Sequence, residues 1–161
     1  MTEEMNVLVQ LSAAMTAAVA RAAAWTVGVS ARRRFPASGV AFAPYLVLTA
    51  DHVIEWEEGI RVILPRGEEV EAALVGRDPG NDLALLRLPT GGLLPAERSP
   101  QATQVGQLVL ALGHDPAARA STPVWASSAP LAGPRAPGVV VCWNVTCSPM
   151  LPHTLASRVA R

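Results

Sequence analysis

Short apolar runs separated by turn-forming residues dominate the middle of the chain. Gly, Pro, Asp and Asn, which interrupt regular structure, occupy the gaps between the runs. Many short strands at such close intervals are typical of an antiparallel barrel or sandwich, and not of strands that alternate with helices. We therefore predict a mainly β fold. The predicted strands lie at Trp25–Ser30, Val40–Phe42, Tyr45–Thr49, Ile60–Leu64, Val70–Val75, Leu83–Leu88 and Gln107–Leu112.

The N-terminal 24 residues have a different pattern. Residues 5–20 carry no charge, and alanine, the strongest helix former, is frequent there. Glu3 and Glu4 stand where a signal peptide has positive charge, and the uncharged stretch is short for a membrane span. We therefore predict an amphipathic leading helix, no membrane segment and a cytoplasmic location. Its apolar face is formed by residues at helical spacing: Leu8, Leu11, Met15 and Val19.

Composition narrows the possible partners and cofactors. The chain has 161 residues, enough for one domain with a core, but it is short for a double β-barrel of roughly 200–250 residues. Its formal net charge is zero, so neither nucleic acid nor an anionic membrane is expected as a partner. Cys142 and Cys147 lack ligand spacing, so we expect no metal and no cofactor, and we leave a disulfide between them open.

One histidine and one aspartate occupy positions that suit acid–base chemistry. His52 lies in LVLTADHVIE, directly after a predicted strand, and Asp82 lies in VGRDPGNDLALLRL, directly before one. In a serine protease a histidine takes the proton of the nucleophilic serine, and a carboxylate holds the imidazole in the required tautomer. Either residue alone is more often a surface or turn residue, so the surrounding motifs decide the interpretation.

Taken together, these motifs resemble the trypsin-like serine proteases of the HtrA/DegP type. Ser38 and Gly39 before an apolar strand, the histidine turn, the hairpin LPRGEEVEA and the aspartate motif follow one another in the family's order over about residues 25–113. The resemblance implies a chymotrypsin-like β-barrel, with His52 as general base and Asp82 as its orienting partner. It also implies a polypeptide substrate and catalysis without metal or cofactor.

The family's nucleophile is missing from the sequence as given. The serine of the family lies in a glycine-rich SGGP-like loop, and no serine here has that context. His114 and Asp115 stand where the family turns between strands, and we predict a loop role for them. The C-terminal serines lie beside Thr, Ala, Pro or Arg, without a glycine-rich turn that could form an oxyanion hole: Ser121, Ser127, Ser128, Ser148 and Ser157.

A shifted reading frame accounts for the missing serine loop. Suppose that each ancestral codon consisted of the third base of one present codon and the first two bases of the next. In that frame Thr122–Pro130 would permit SGVGIVSA, and Val139–Pro152 would permit GGLLERYVQSDVT. His153–Arg161 would permit YPGFSGGP, which contains the serine loop. Trp125 and Trp143 have one codon each, so they force a glycine and a glutamate, and both agree with the family. We therefore predict a single-base shift between Gly113 and Thr122, which would also explain the early end.

These observations predict three parts: a helix over 1–24, an N-terminal trypsin-like barrel over 25–116 and an aberrant, poorly ordered segment over 117–161. The second barrel would then be incomplete and the chain inactive, with peptide specificity and oligomeric state left undetermined. In that segment neither the cysteines nor the Asn144-Val145-Thr146 triplet would carry a selected function.

Two alternatives stay open. A non-catalytic pseudoprotease acting as a protein-binding module would have a coherent C-terminal segment. An unrelated small β-domain would require the contexts of His52 and Asp82 to be coincidental, and the two side chains would then lie far apart.

Overall fold

The computed structural model of the chain describes residues 2–33, 36–98, 110–114 and 141–143. These residues form an N-terminal helix, a closed six-stranded barrel and a separate two-stranded sheet, so the predicted mainly β fold is confirmed. Each predicted strand overlaps an observed one. The elements are α1 (Thr2–Ala23), β1 (Thr26–Ser30), β2 (Ala37–Ala43), β3 (Leu46–Thr49), β4 (Ile60–Ile63), β5 (Glu69–Asp78), β6 (Leu83–Arg87), β7 (Leu110–Leu112) and β8 (Val141–Trp143).

The barrel is closed by antiparallel pairing in the order β1-β2-β3-β6-β5-β4. The last strand of this order, β4, pairs back onto β1, with Val62 opposite Val29. Closure satisfies the backbone hydrogen bonds of both edges, so the barrel can be stable with short strands. The order also places β3 beside β6, although two strands separate them in sequence. The candidate site lies at one end of this strand pair.

Alternating side chains fill a narrow barrel interior. In β4, Ile60 and Val62 are fully buried while Arg61 between them is exposed, as expected for a strand with one solvated face. A small barrel has room for few large side chains, and β2 therefore contributes Gly39 to the interior. A Cβ atom at Gly39 would lie 2.9 Å from Cγ1 of Val47, so only glycine fits there.

A second apolar cluster lies on the outer face of the barrel. Leu48 pairs with Leu85, and Leu46 pairs with Arg87, which is exposed. Because paired residues of antiparallel strands point to the same side, these leucines face away from the interior that holds Leu86. All three are nevertheless buried and form a cluster of their own. The β3–β6 part of the barrel is thus apolar on both faces.

The helix α1 is present, but of its predicted apolar face only Val19 packs against the core, and the prediction is wrong for the other three residues. Leu8 and Leu11 are exposed, by 67% and 42%, and Met15 is also exposed, whereas Ala18 and Ala22 are buried. The contact is made near the C-terminal end of the helix because β1 begins only three residues after it, and the Thr26 hydroxyl donates to the Ala22 carbonyl. Alanine allows close approach there, and the larger side chains lie on turns that extend beyond this contact.

The helix also bears on the membrane prediction. Its stretch Asn6–Ala23 is long and apolar enough to cross a membrane by length and composition, a property that signal sequences and core helices share. The expectation that this region is too short for a span is therefore not supported. A cytoplasmic location stays a prediction.

One strand lies within the segment that was predicted to be aberrant. Strand β8 pairs antiparallel with β7, with Cys142 opposite Ala111. The remainder of 117–161, including Cys147, lies outside the described residues. The predictions of poor order and of a possible disulfide therefore stay predictions.

Candidate active site

The strand order brings the histidine and aspartate motifs to the same end of the barrel. Strands β3 and β6 are antiparallel neighbours, with Thr49 opposite Ala84. The C-terminal end of β3 therefore meets the N-terminal end of β6. His52 follows β3 by three residues and Asp82 immediately precedes β6, so the backbone alone delivers both residues to one place.

A tight turn presents His52 to solvent. Asp51–Val53 form one turn of 3-10 helix, closed by a hydrogen bond of 3.0 Å from the Ile54 N–H to the Asp51 carbonyl. Val53 and Ile54 are buried in the barrel core and anchor the turn. His52 is the exposed member between buried neighbours, and its side chain is about half exposed.

The turn before β6 sets the direction of Asp82. Asp78 ends β5, and its carboxylate accepts a hydrogen bond of 2.8 Å from the side-chain amide of Asn81. Asp82 then adopts a left-handed backbone conformation, with φ of 54°. Aspartate tolerates this conformation better than most residues, which explains the sequence DPGND at this turn.

Two hydrogen bonds join His52 itself to Asp82. Nδ1 of His52 lies 2.7 Å from Oδ2 of Asp82, and the backbone N–H of His52 donates to Oδ1 at 2.9 Å. An ionised carboxylate only accepts hydrogen bonds, so Nδ1 of a neutral imidazole must carry the proton. That tautomer leaves Nε2 with a free lone pair, which is the atom a general base uses.

The environment of Asp82 favours its charged form. Burial acts to raise the pKa of this carboxyl, but the pKa lies below its ordinary value because hydrogen bonds outweigh burial. The donors are the backbone N–H and imidazole of His52 and the backbone N–H of Asp51, and the charge of His52 acts in the same direction. Asp82 is thus ionised at neutral pH and holds the imidazole as an acceptor.

The Ser38–Gly39 motif supports the end of strand β3 that leads to the site. The carbonyl of Ser38 accepts the Thr49 hydroxyl at 2.9 Å, next to the pairing of Gly39 with Thr49. The hydroxyl of Ser38 accepts the backbone N–H of His114 at 2.9 Å. Ser38 therefore fixes the end of β3 from which the histidine turn departs.

His114 takes part in packing rather than in a second site. Its side chain is buried, and its ring lies over Gly28 of β1. A Cβ atom at Gly28 would lie 2.6 Å from Cδ2 of His114, so the pair requires glycine. His114 lies two residues beyond the end of β7, in a loop as predicted. Asp115 lies outside the described residues, as do the C-terminal serines from Ser121 to Ser157.

A second charged pair at the site was missed by the sequence argument. Arg77, near the end of β5, donates from Nε to the carboxylate of Asp51, directly before His52. The two residues are 26 positions apart and no motif couples them, so only the barrel topology reveals the contact. Within the described ranges, no group of three or more His, Cys, Asp or Glu side chains could hold a metal ion.

Comparisons with known proteins agree with this geometry. The family model for the trypsin-like peptidase domain matches residues 37–151, about seven tenths of the chain. A probable periplasmic serine endoprotease, DegP-like, of Ectopseudomonas mendocina is 42% identical over 69 residues, which cover 42% of this chain and 14% of that protein. The serine endoprotease DegS of Haemophilus influenzae is 40% identical over 70 residues, covering 42% of this chain and 20% of DegS. The match thus spans only a small part of each relative.

Solved structures show the same fold. The serine endoprotease of Yersinia pestis matches with a TM-score of 0.55 and 36% identity, over 59% of this chain and 37% of that one. The inactive form of a protease of M. tuberculosis matches with a TM-score of 0.53 and 25% identity, over 60% of this chain and 48% of that one. Each alignment covers less than half of the solved chain.

Proposed function

Because this chain belongs to the trypsin-like peptidase domain family, we propose that it is the histidine-and-aspartate half of an HtrA-type serine endopeptidase. Its nucleophilic serine is missing from the sequence as given, so the chain is inactive. The observation that carries the proposal is the 2.7 Å pairing of His52 Nδ1 with Asp82, reinforced by the backbone N–H of His52. This pairing also argues against an unrelated β-domain, which predicted that the two side chains lie apart.

In the intact parent, each half of the site has a defined task. Nε2 of His52 takes the proton of the serine hydroxyl as the oxygen attacks the peptide carbonyl, and later gives that proton to the leaving amine. Asp82 stays ionised, keeps Nδ1 protonated and stabilises the imidazolium that forms. The serine and the N–H groups that stabilise the oxyanion come from elsewhere in the chain. The substrate is a polypeptide, and no cofactor enters the reaction.

Among the described residues, the pair lies open to solvent. His52 and Asp82 are 48% and 41% exposed, so water reaches both members of the pair. Electrostatic interactions are weaker in water than in a closed site, and a working protease gains from excluding it. A second barrel that packs over this end would supply both the exclusion and the nucleophile.

A pseudoprotease that binds protein is the second candidate, and two observations favour it. The family match continues to residue 151, well into the segment that the frame-shift interpretation treats as non-native. Strand β8 lies in the same segment and pairs with β7. A continuous domain in the given frame, without the serine loop, would account for both.

Sequencing the coding DNA from the codon of Gly113 to beyond the codon of Arg161 separates the two candidates. The proposal expects one base whose restoration opens a frame through FSGGP, with the serine codon straddling Ser157 and Arg158. If the frame stands as given and the shifted frame lacks these motifs, the truncated-endopeptidase interpretation fails and the binding module replaces it.

A further inference from the structure

The residue before His52 is held by an arginine of a different strand. Nε of Arg77 lies 2.5 Å from Oδ1 of Asp51, and an Nη2 N–H donates to the Asp51 carbonyl at 3.4 Å. The Asp51 side chain is only 12% exposed, whereas that of Glu57, which receives the third contact of the guanidinium at 3.2 Å, is 67% exposed. The contact with Asp51 is therefore the buried limb of the network.

Arg77 contacts both the side chain and the main chain of the histidine turn. Asp51 begins that turn, and its carbonyl also accepts the Ile54 N–H that closes it. The arginine itself lies on β5, where it pairs with Ala84 of β6. The guanidinium fork thus ties the turn to a barrel strand from one side, while Asp82 ties the same turn to the start of β6 from the other.

The pair also engages the second carboxylate of the histidine turn. Asp51 directly precedes His52 and begins the 3-10 turn that presents it. The carboxylate of Asp51 is engaged by Arg77, and hydrogen bonding to Asp51 is the main cause that raises the pKa of Arg77 above its ordinary value. Asp82 is left as the acceptor for His52. An arginine suits this task because its planar fork can hold two acceptors in one geometry.

We propose that Arg77 is a positioning residue for His52, acting through Asp51 to fix the histidine turn and to keep Asp82 as the sole carboxylate partner of the imidazole. The inference rests on the proposed function of the His52–Asp82 pair, but not on the presence of the serine. It assigns no contact with substrate to Arg77.

The test is the tautomer of His52 in the protein as it exists, measured by long-range ¹H–¹⁵N correlation NMR near neutral pH. Comparison with His52→Gln identifies the signals of this histidine, and Asp82→Asn supplies the reference for an imidazole without its anionic partner. We expect the unmodified chain to show mainly the Nδ1–H form. In Arg77→Gln the His52 signals should move most of the way to the Asp82→Asn reference.

The matched control is Glu57→Gln, which removes the charge from the exposed limb of the network and leaves the contact with Asp51 intact. It should leave the His52 tautomer unchanged. Arg77→Lys keeps a positive charge beside Asp51 but loses the fork, so its His52 signals should lie between those of the unmodified chain and Arg77→Gln. A purely structural role for Arg77 would lower the unfolding midpoint without moving the tautomer of the folded protein.

Folded Arg77→Gln with the unmodified tautomer overturns the proposal. If Arg77→Gln does not fold, Arg77→Lys decides, and an unchanged tautomer in that variant overturns it equally. A different result would contradict the proposed function instead. If the His52 signals of the unmodified chain match those of Asp82→Asn, His52 is not paired with Asp82. The tautomer is read without the serine, so the outcome of the DNA sequencing does not affect this test.

Discussion

The barrel and the helix that precedes it use hydrophobic residues in opposite ways. In the barrel, Ile60, Val62 and Leu86 are fully buried, in keeping with the alternation of apolar and polar positions in β4. In α1, Leu8 and Val9 are more than 60% exposed although the stretch Asn6–Ala23 is long and apolar enough to cross a membrane. The barrel buries its side chains because closure creates an interior. Among the described residues, the helix buries Ala18 and Ala22 near its C-terminal end, where the start of β1 and strand β7 lie close to it.

The difference teaches what periodicity can and cannot predict. A repeat of apolar residues indicates the type of element, because the element fixes which positions share a face. Burial of that face requires a complementary surface elsewhere in the molecule. Small residues, Ala18 and Ala22, make the buried contact in α1, and they carry little hydrophobic signal. The following predictions test the contrast, beginning with the largest expected effect.

Truncating a core residue of the barrel should have the largest effect. Leu86 is fully buried on β6, and Leu86→Ala should lower the free energy of unfolding by about 2–5 kcal/mol because it leaves a cavity. Chemical denaturation measures this loss. The control is Leu94→Ala, at a side chain that is 66% exposed, which should change stability by less than about 0.5 kcal/mol. Equal effects of the two variants would contradict the description of the core.

Adding a side chain at Gly28, against the ring of His114, should have the second-largest effect on stability. Gly28→Ala places a Cβ atom 2.6 Å from the ring, so we expect a loss of roughly 1–3 kcal/mol from overpacking. The matched control is Gly80→Ala, whose Cβ would meet only Asp78 Oδ1 at 3.4 Å. The second replacement His114→Ala should recover part of the loss. If it recovers nothing, residue 114 is not packed on the barrel.

Removing the charge of Asp82 should have a smaller, pH-dependent effect. The pKa of Asp82 is lower in the folded chain than its ordinary value of 3.8, so its stabilisation is complete above that value and is lost as the pH falls through the folded pKa. Asp82→Asn should therefore cost up to about 1 kcal/mol at neutral pH, since the side chain is well exposed, and the difference should shrink below about pH 4. Thermal unfolding of the unmodified chain and the variant between pH 3 and pH 7 measures this difference. The control is Glu69→Gln, which removes the charge of an exposed carboxylate paired with Arg61. A difference that grows on acidification would contradict the stated sign.

Polar substitutions on the exposed face of α1 should have the smallest effect. Leu8→Gln and Leu11→Gln replace exposed side chains, so each should change the free energy of unfolding by less than about 0.5 kcal/mol. Denaturation of the two variants beside the unmodified chain measures the change. A loss above 1 kcal/mol in either variant would show that this face is covered in solution.

Most strands of the barrel and the central pair of the site could be predicted from the sequence. Strand positions followed from short apolar runs, and His52 and Asp82 followed from local motifs whose order resembles a known family. The contact of Arg77 with Asp51 could not be predicted, because it depends on how the turn after β3 lies against β5. The same holds for the burial of His114, which depends on the absence of a side chain at Gly28, 86 positions earlier. The burial of Leu8, Leu11 and Met15 was wrongly predicted, because a helix face is buried only where a complementary surface meets it.

Covalent labelling with a fluorophosphonate probe, read by intact mass, tests the central claim most directly, because the probe reacts with an activated serine. The chain as given should gain no adduct. A chain in which the shifted base is restored should gain one adduct at the serine whose codon straddles Ser157 and Arg158, and His52→Ala should abolish it. An adduct on the chain as given that His52→Ala removes would show that a working nucleophile is present, and would contradict the account.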